Sequence, residues 1–143
     1  MSLYGLSQRT TATVAASASW EVRSAATNKP RIMELGISQV TAVAGTYGIG
    51  RPGAIGITPT SPQNFVAEGD AGAPTSLSTA AVAWGTGPTV PTNFNRRLTC
   101  AATIGVGAIF SFPRGMDIST SGSVIVWIIA TAPVCDVYAV VDE

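Results

Sequence analysis

Two short segments of this chain hold residue types that could bind a phosphate or a cation. The segment GIGRPG at 48–53 matches the spacing of the dinucleotide-binding fingerprint, in which glycines open a helix whose N-terminus holds a pyrophosphate. The following residues, 54–59, cannot form that helix, so we predict a glycine-bent strand. Glu68 and Asp70 lie near too few other oxygen ligands for a calcium ion, which takes about six to eight. We therefore expect neither a cofactor site nor a metal site.

The residues that usually carry catalysis are scarce in the chain. It has no histidine, which removes Ser-His-Asp and Cys-His nucleophiles together with histidine bases and histidine metal sites. Its four aspartates and four glutamates single out no acid–base pair. Cys100 and Cys135 are too few for a zinc site or a disulfide framework, and we predict that they are reduced core residues. The sequence therefore predicts no catalytic residues and a protein that is not an enzyme.

Arg96 and Arg97 form the one pair of adjacent basic residues, and they follow Phe94 closely. They could pair with acidic groups of a partner or stack on an aromatic ring. Neighbours on a strand point to opposite faces, so only one of the two can face a given partner. The pattern favours structural salt bridges within the domain.

The overall charge excludes further classes of partner. Basic and acidic residues number eight each, and charged residues make up only 11% of the 143 residues. We expect no nucleic-acid partner, because no basic excess exists to neutralise phosphates. The longest apolar run, Val124–Ala130, is too short to span a bilayer, so we expect no membrane partner either. The N-terminus has no signal-peptide pattern, and we expect synthesis and assembly in the cytoplasm.

The elements that must position these residues are predicted to be strands. Val, Ile and Thr account for 42 residues, and β-branched side chains suit a pleated, half-buried surface. Alternating apolar runs separated by Gly and Pro turns predict an all-β fold. The expected architecture is an antiparallel two-sheet sandwich of jelly-roll type with about eight short strands. A single up-and-down barrel is the alternative.

The chain is divided into an N-terminal arm, residues 1–10, and a single β-sandwich domain, residues 11–143. We expect the first strand at Thr11–Arg23 and a long surface loop at Thr58–Pro74. The strands expected in the second half are Arg97–Thr103, Ile104–Phe112, Ser123–Thr131 and Cys135–Val141, with a turn at Pro113–Gly115 after the second of them.

Two segments suggest contacts with other chains. Val124–Ile129 is apolar on both faces, so a neighbouring subunit or an overlying loop must cover the side that faces away from the core. We take it as a sign of a homotrimer or another small ring. The arm carries apolar side chains that a purely solvated tail would not need. Either it is a frayed chain end or a short edge segment on its own domain, or it docks on an adjacent subunit through the candidate contact residues Leu3, Tyr4, Leu6 and Arg9, the last meeting an acidic group.

Several segments, in their order along the chain, resemble small virion proteins of tailed bacteriophages. They are RIMELGIS, YGIGRPGAIGITPT, AVAWGTGPTVP, GAIFSFPRGMDI and SGSVIVWIIATAPVCDVYAVVDE. The resemblance runs from about Ser19 to Glu143, and none of its patterns is a catalytic signature. It implies a jelly-roll structural subunit that serves as a head decoration (cement) protein or another minor capsid component.

The function expected from this resemblance is a non-enzymatic virion protein that stabilises the phage capsid through contacts between subunits. Its partners would be further copies of itself and the major capsid protein, and its place would be the capsid surface of the virion. The alternatives are a tail or fibre component and a lectin-like jelly roll that recognises glycans by tryptophan stacking.

Overall fold

The computed structural model of the chain describes residues 2–11 and 14–143. Eight strands of five or more residues and five strands of two or three residues form in these ranges. The longer strands are β1 (Leu3–Arg9), β2 (Ser17–Arg23), β3 (Arg31–Gln39), β4 (Gly45–Gly50), β10 (Arg96–Cys100), β11 (Gly107–Asp117), β12 (Ser123–Ala130) and β13 (Cys135–Asp142). The short ones are β5 (Ile57–Pro59), β6 (Gln63–Asn64), β7 (Val66–Ala67), β8 (Thr79–Ala81) and β9 (Trp84–Thr86).

The strands build two antiparallel sheets with jelly-roll topology. The five-stranded sheet has the order β11-β3-β13-β1-β7, and the six-stranded sheet has the order β10-β4-β12-β2-β8-β6. Along the chain the longer strands change sheet at every step except from β4 to β10, which pair with each other. This is the strand order of a double-sheet jelly roll. The predicted fold class is confirmed, and the barrel alternative is wrong.

The core lies between the two sheets and follows from the period-two patterning of their strands. In β13, for example, Cys135, Val137, Ala139 and Val141 are buried while the residues between them are half-buried. Trp20 of β2 and Tyr47 of β4 are the largest fully buried side chains of this core, and Tyr4 of β1 is nearly as deeply buried. Both cysteines are buried in it with free thiols, as the sequence predicts.

The short strands all belong to one insertion, residues 51–95, between β4 and β10. Within it, β7 pairs with β1 in the five-stranded sheet, and β8 and β6 extend the six-stranded sheet beyond β2. Strands β5 and β9 form a separate pair. The insertion therefore lengthens one side of the sandwich, whereas β10 and β11 remain as edge strands on the other side.

The structure corrects several of the predicted boundaries. Residues 3–9, which the sequence placed in an arm, form β1. The predicted strand Thr11–Arg23 is a strand only from Ser17 onward, and its residues 12 and 13 lie outside the described ranges. The predicted turn at Pro113–Gly115 is a bulge inside β11, because the register with β3 shifts between Ser111 and Met116 and Gly115 adopts a positive φ. The predicted loop Thr58–Pro74 contains most of β5 and all of β6 and β7, although its residues are largely exposed.

Candidate partner-binding surface

Two of the four candidate contact residues serve the domain's own core. Tyr4 is 3% exposed, and its hydroxyl donates a hydrogen bond to the carbonyl oxygen of Pro74 at 3.0 Å. Leu6 packs partly buried against the same core. The prediction that these two side chains fill pockets on an adjacent subunit is therefore wrong. The alternation of Tyr4, Leu6 and Gln8 in the sequence is the period-two signal that could have identified β1.

The other two candidates, Leu3 and Arg9, are exposed on β1. The guanidinium of Arg9 donates to both carboxylate oxygens of Asp136 on β13, at 2.8 and 3.0 Å. This bond holds the pKa of Asp136 below its usual value and raises the pKa of Arg9. The acidic group that meets Arg9 is thus in the same chain, and not in a partner as the docking hypothesis required.

The outer face of the five-stranded sheet is built around Tyr138. The ring of Tyr138 lies against Gly36 on the neighbouring strand, where a Cβ atom would be 2.0 Å from ring atom Cε1. Its hydroxyl donates to Glu34 Oε1 at 2.6 Å. A shallow groove of about 470 Å³ runs beside the ring and is bordered by Ile109 of the edge strand β11. The face thus presents an aromatic ring and an exposed aliphatic side chain with few charges between them.

The apolar side chains of this face continue toward the other edge. A second groove, of about 400 Å³, lies on the opposite side of Tyr138 and is bordered by Val66 and Glu68. Leu3 is 48% exposed, Val66 67% and Ile109 64%. Exposed apolar residues that share one face of a sheet indicate a surface that contacts other macromolecules.

The outer face of the six-stranded sheet, by contrast, is covered by the chain itself. Ile125 and Trp127 of β12 are buried there in a second small cluster with Ala18, against which Trp84, Phe94 and Ile129 pack. Trp84 and Phe94 belong to the insertion. Of the two covers expected for Val124–Ile129, the structure has the overlying loop, so this run no longer argues for a ring.

The glycines at 48–53 allow this cover to lie close to the sheet. A Cβ atom at Gly48 would be 2.4 Å from the ring of Phe94, and one at Gly50 would be 2.9 Å from the carbonyl oxygen of Asn93. The glycine-bent segment predicted from the sequence therefore accommodates a packed loop, and no helix follows it in the described residues.

Glu21 of β2 binds the insertion to the six-stranded sheet through hydrogen bonds. Its carboxylate is fully buried and accepts hydrogen bonds from Trp84 Nε1 at 2.7 Å and from the amide of Gly56 at 3.1 Å. Arg23 Nε lies 3.1 Å from Oε2 of Glu21, close enough for an ion pair, although its N–H makes no hydrogen bond. Arg23 also donates through Nη2 to the carbonyl oxygen of Gly56. No sequence signal distinguished Glu21 from a solvated strand residue.

The adjacent arginines make no salt bridge within the described residues, whose ion pairs involve Arg9, Arg23 and Arg31. The salt-bridge prediction for Arg96 and Arg97 is therefore wrong. The guanidinium of Arg96 lies 5.3 Å from the centre of the Phe112 ring, and that of Arg97 lies 5.9 Å from the Phe94 ring. Both arginines are exposed, so aromatic stacking holds them while leaving their charges free.

The buried titratable groups are arranged as core polar residues. The hydroxyl of Tyr47 lies 3.0 Å from Cys135 Sγ and accepts a hydrogen bond from Gln39 at 3.2 Å. Burial raises the pKa of both thiols and of Tyr47. Residues 2–11 and 14–143 contain no group of three or more His, Cys, Asp or Glu side chains that could hold a metal ion. In the same ranges no helix is long and apolar enough to cross a membrane.

Comparisons with known proteins add no relative to this description. No family model matches the chain, and neither a curated protein nor a solved structure is significantly similar to it. Function must therefore be argued from the surface described above.

Proposed function

We propose that this protein is a non-enzymatic structural subunit of a bacteriophage virion, which decorates the capsid and stabilises it by contacts between subunits. The proposal starts from the sequence resemblance to small jelly-roll virion proteins. Its partners are further copies of the chain and the major capsid protein, and its place is the capsid surface. Attachment works through burial of apolar and uncharged polar area across the joints between capsid subunits.

The observation that carries the proposal is the exposed outer face of the five-stranded sheet. Leu3, Val66 and Ile109 are about half or more exposed around the half-buried ring of Tyr138, and the corresponding face of the other sheet is already covered by the insertion. A standard protein–protein contact buries about 800 Å² on each partner. Repetition over a lattice would make even a weak contact of this size effective through avidity.

Counting and locating the protein on particles tests this role. Particles purified from a host that carries the gene are analysed by quantitative mass spectrometry and by electron microscopy with labelled antibody. Hundreds of copies over the head would support decoration. A handful of copies at the tail would overturn it in favour of a tail or fibre component, and absence from the particle would exclude a virion role altogether.

A glycan-binding role has one observation in its favour. The half-buried ring of Trp84 borders a cleft of about 550 Å³ beside β2, with the buried Trp127 and Pro88 in its wall, and aromatic rings are common sugar-stacking surfaces. Titration of the pure protein with host lipopolysaccharide, followed by tryptophan fluorescence, tests it. Saturable quenching that Trp84→Ala abolishes would favour the lectin-like alternative, whereas unchanged fluorescence would exclude it for this ligand.

A further inference from the structure

The charges of this neutral chain are separated between the two edges of the sandwich. Strands β10 and β11 form one edge, and Arg96, Arg97 and Arg114 lie on them. Arg51, which follows β4 next to β10, adds a fourth cation. All four are exposed, and the one carboxylate on these two strands, Asp117, is paired with Arg31. We call these four arginines the basic edge.

The opposite edge carries the excess of acidic groups. There β7 pairs with β1, and Glu68 and Asp70 follow β7 in an exposed loop. Strand β13, the middle strand of this sheet, ends at Asp142, whose register partners are Leu3 of β1 and Arg31 of β3. Glu143 follows it, and its carboxylate accepts hydrogen bonds from the Ser76 hydroxyl and from the amides of Leu77 and Ser78. The cation at this side, Arg9, is bonded to Asp136. We call the exposed carboxylates Glu68 and Asp70 the acidic edge, and the negative charge of the hydrogen-bonded Glu143 adds to its field.

Each edge also carries exposed aliphatic side chains. Ile109 stands on β11 of the basic edge, whereas Leu3 and Val66 stand on β1 and β7 of the acidic edge. Each edge therefore combines apolar area with charge of a single sign. Apolar area contributes most of the affinity of a contact, and charge decides which surfaces approach each other.

From this arrangement we propose that copies of the chain associate edge to edge, the basic edge of one copy against the acidic edge of the next. A twofold contact would place the same edge of both copies together, and like charges would then face one another. The head-to-tail contact joins opposite charges and uses one edge of each kind on every copy. Such a contact generates a ring when the rotation between neighbours closes and an open filament when it does not, and the closed ring is the form that we propose. The inference deepens the proposed function and rests on it for its purpose, because a ring presents several capsid contacts at once. The ring buries the aliphatic side chains at the two edges, and the part of each outer face around Tyr138 remains for the capsid.

The available area is sufficient for such a contact. Two contacts of standard size would bury about 1,600 Å² of each copy, roughly a quarter of its 6862 Å² of accessible surface. The acidic groups bonded within the chain still contribute to the field of their edge, and that field steers encounter at low ionic strength.

Charge reversal at each edge tests the proposal by analytical ultracentrifugation. One variant carries Arg97→Glu and Arg114→Glu, a second carries Glu68→Lys and Asp70→Lys, and a third combines all four changes. We expect each single-edge variant to associate at least about tenfold more weakly than the natural chain. The combined variant, in which the two edges have exchanged sign, should recover most of that loss.

A matched control separates edge charge from net charge. The control variant has the same net charge as the first variant, and its four substitutions lie at exposed positions outside both edges. They are Ala26→Glu, Ala42→Glu, Thr60→Glu and Thr120→Glu. This control should associate nearly as well as the natural chain, and circular dichroism should show the same melting temperature for all variants. Rising salt should weaken association of the natural chain.

Three results would overturn the inference. The first is a natural chain that stays monomeric at roughly 100 μM, a concentration at which micromolar contacts are populated. The second is a single-edge variant that associates as strongly as the natural chain. The third is a combined variant that associates no better than the single-edge variants. Binding to particles is measured separately. A chain that binds particles as a monomer would disprove the ring and leave the proposed function standing. Rings that never bind particles would disprove the proposed function and leave the association of copies standing.

Discussion

At the scale of single residues, the outer sheet face depends on one tyrosine and the glycine beneath it. Tyr138 lies flat because Gly36 has no side chain to lift it, and its hydroxyl is fixed by Glu34. Burial, and then the hydrogen bond and negative charge of Glu34, raise the pKa of Tyr138 to about 12. Since this exceeds the ordinary value of 10.0, Tyr138 favours the folded state up to pH 10, and this contribution is lost as the pH rises toward 12.

Replacing Glu34 should lower the pKa of Tyr138. Glu34→Gln keeps the size of the side chain and removes its charge, so the phenolate is repelled less, while burial and the charge of Glu68 still hold the pKa above its ordinary value. An ultraviolet titration at 295 nm compares this variant with the natural chain, and Tyr138→Phe identifies the contribution of Tyr138. An unchanged titration of Tyr138 in Glu34→Gln would show that the contact with Glu34 has no electrostatic effect.

Glu21 is the second residue whose role is local. Because its carboxylate is buried, each hydrogen bond that it accepts compensates for lost hydration. Trp84→Phe keeps an aromatic ring and removes the indole donor, so we expect a loss of about 1.5–3 kcal/mol in the free energy of unfolding. Urea denaturation measures this loss.

A double-mutant cycle provides the control for this prediction. Glu21→Gln alone leaves the charge of Arg23 without its counter-charge and should cost about 3–5 kcal/mol. If Trp84 acts through Glu21, the double variant should be less destabilised than the sum of the two single variants. Strict additivity would contradict the hydrogen bond as the source of the effect.

At the scale of elements, β13 could be predicted because its apolar residues alternate, and β12 because a continuous apolar run lies between two turns. The extent of β11 could not, because its bulge resembles a turn in the sequence. Strand β1 escaped prediction because its exposed residues include Leu3, which blurs the alternation of Tyr4 and Leu6. The short strands of the insertion could not be predicted, since pairs such as Gln63–Asn64 owe their conformation to the edge of β8 and carry no pattern of their own.

The role of β1 can be tested on two neighbouring residues. Tyr4 is buried in the core and Leu3 is 48% exposed, so Tyr4→Ala should cost about 3–5 kcal/mol, as for large core aromatics. Leu3→Ala should change stability by less than about 0.5 kcal/mol. Deletion of residues 2–9 should prevent stable folding, because it uncovers β13. Equal melting temperatures for Tyr4→Ala and the natural chain would instead favour a detachable arm.

The insertion is the second element that can be tested by itself. Gly48→Ala places a Cβ atom 2.4 Å from the Phe94 ring, so the ring must move away from the cluster that holds Ile125 and Trp127. We expect a cost of about 1–3 kcal/mol and increased binding of an apolar dye. Gly87→Ala, where the added Cβ meets no atom within 4 Å, is the matched control. Similar behaviour of the two variants would show that the cover does not depend on close approach at Gly48.

At the scale of the whole molecule, the sequence allowed the jelly roll to be predicted but not its open surfaces. Alternation shows which residues of β13 face the core, whereas β12 is apolar on both faces and has no such alternation. The sequence does not tell whether the other face of a strand meets solvent, a partner or a distant loop. For β12 that face is covered by a loop that includes Trp84 and Phe94. The candidate contact surface, the outer face of the five-stranded sheet, therefore depends on the insertion, which covers the six-stranded sheet and leaves the five-stranded sheet exposed.

The two free thiols provide a measure of how the whole sandwich opens. Cys100 lies on the edge strand β10 and Cys135 on the inner strand β13, and both are buried in the same core. Burial raises the pKa of each thiol, so neither thiolate is available to a labelling reagent in the folded state. We expect the folded chain not to react with a disulfide reagent at pH 8, and two thiols per chain to react after unfolding in guanidinium chloride.

If the two sheets separate as one cooperative unit, the single-thiol variants Cys100→Ala and Cys135→Ala should be labelled at the same slow rate. Faster labelling of Cys100 in the Cys135→Ala variant would mean that β10 detaches first, and the open edge would then be the least stable part of the fold.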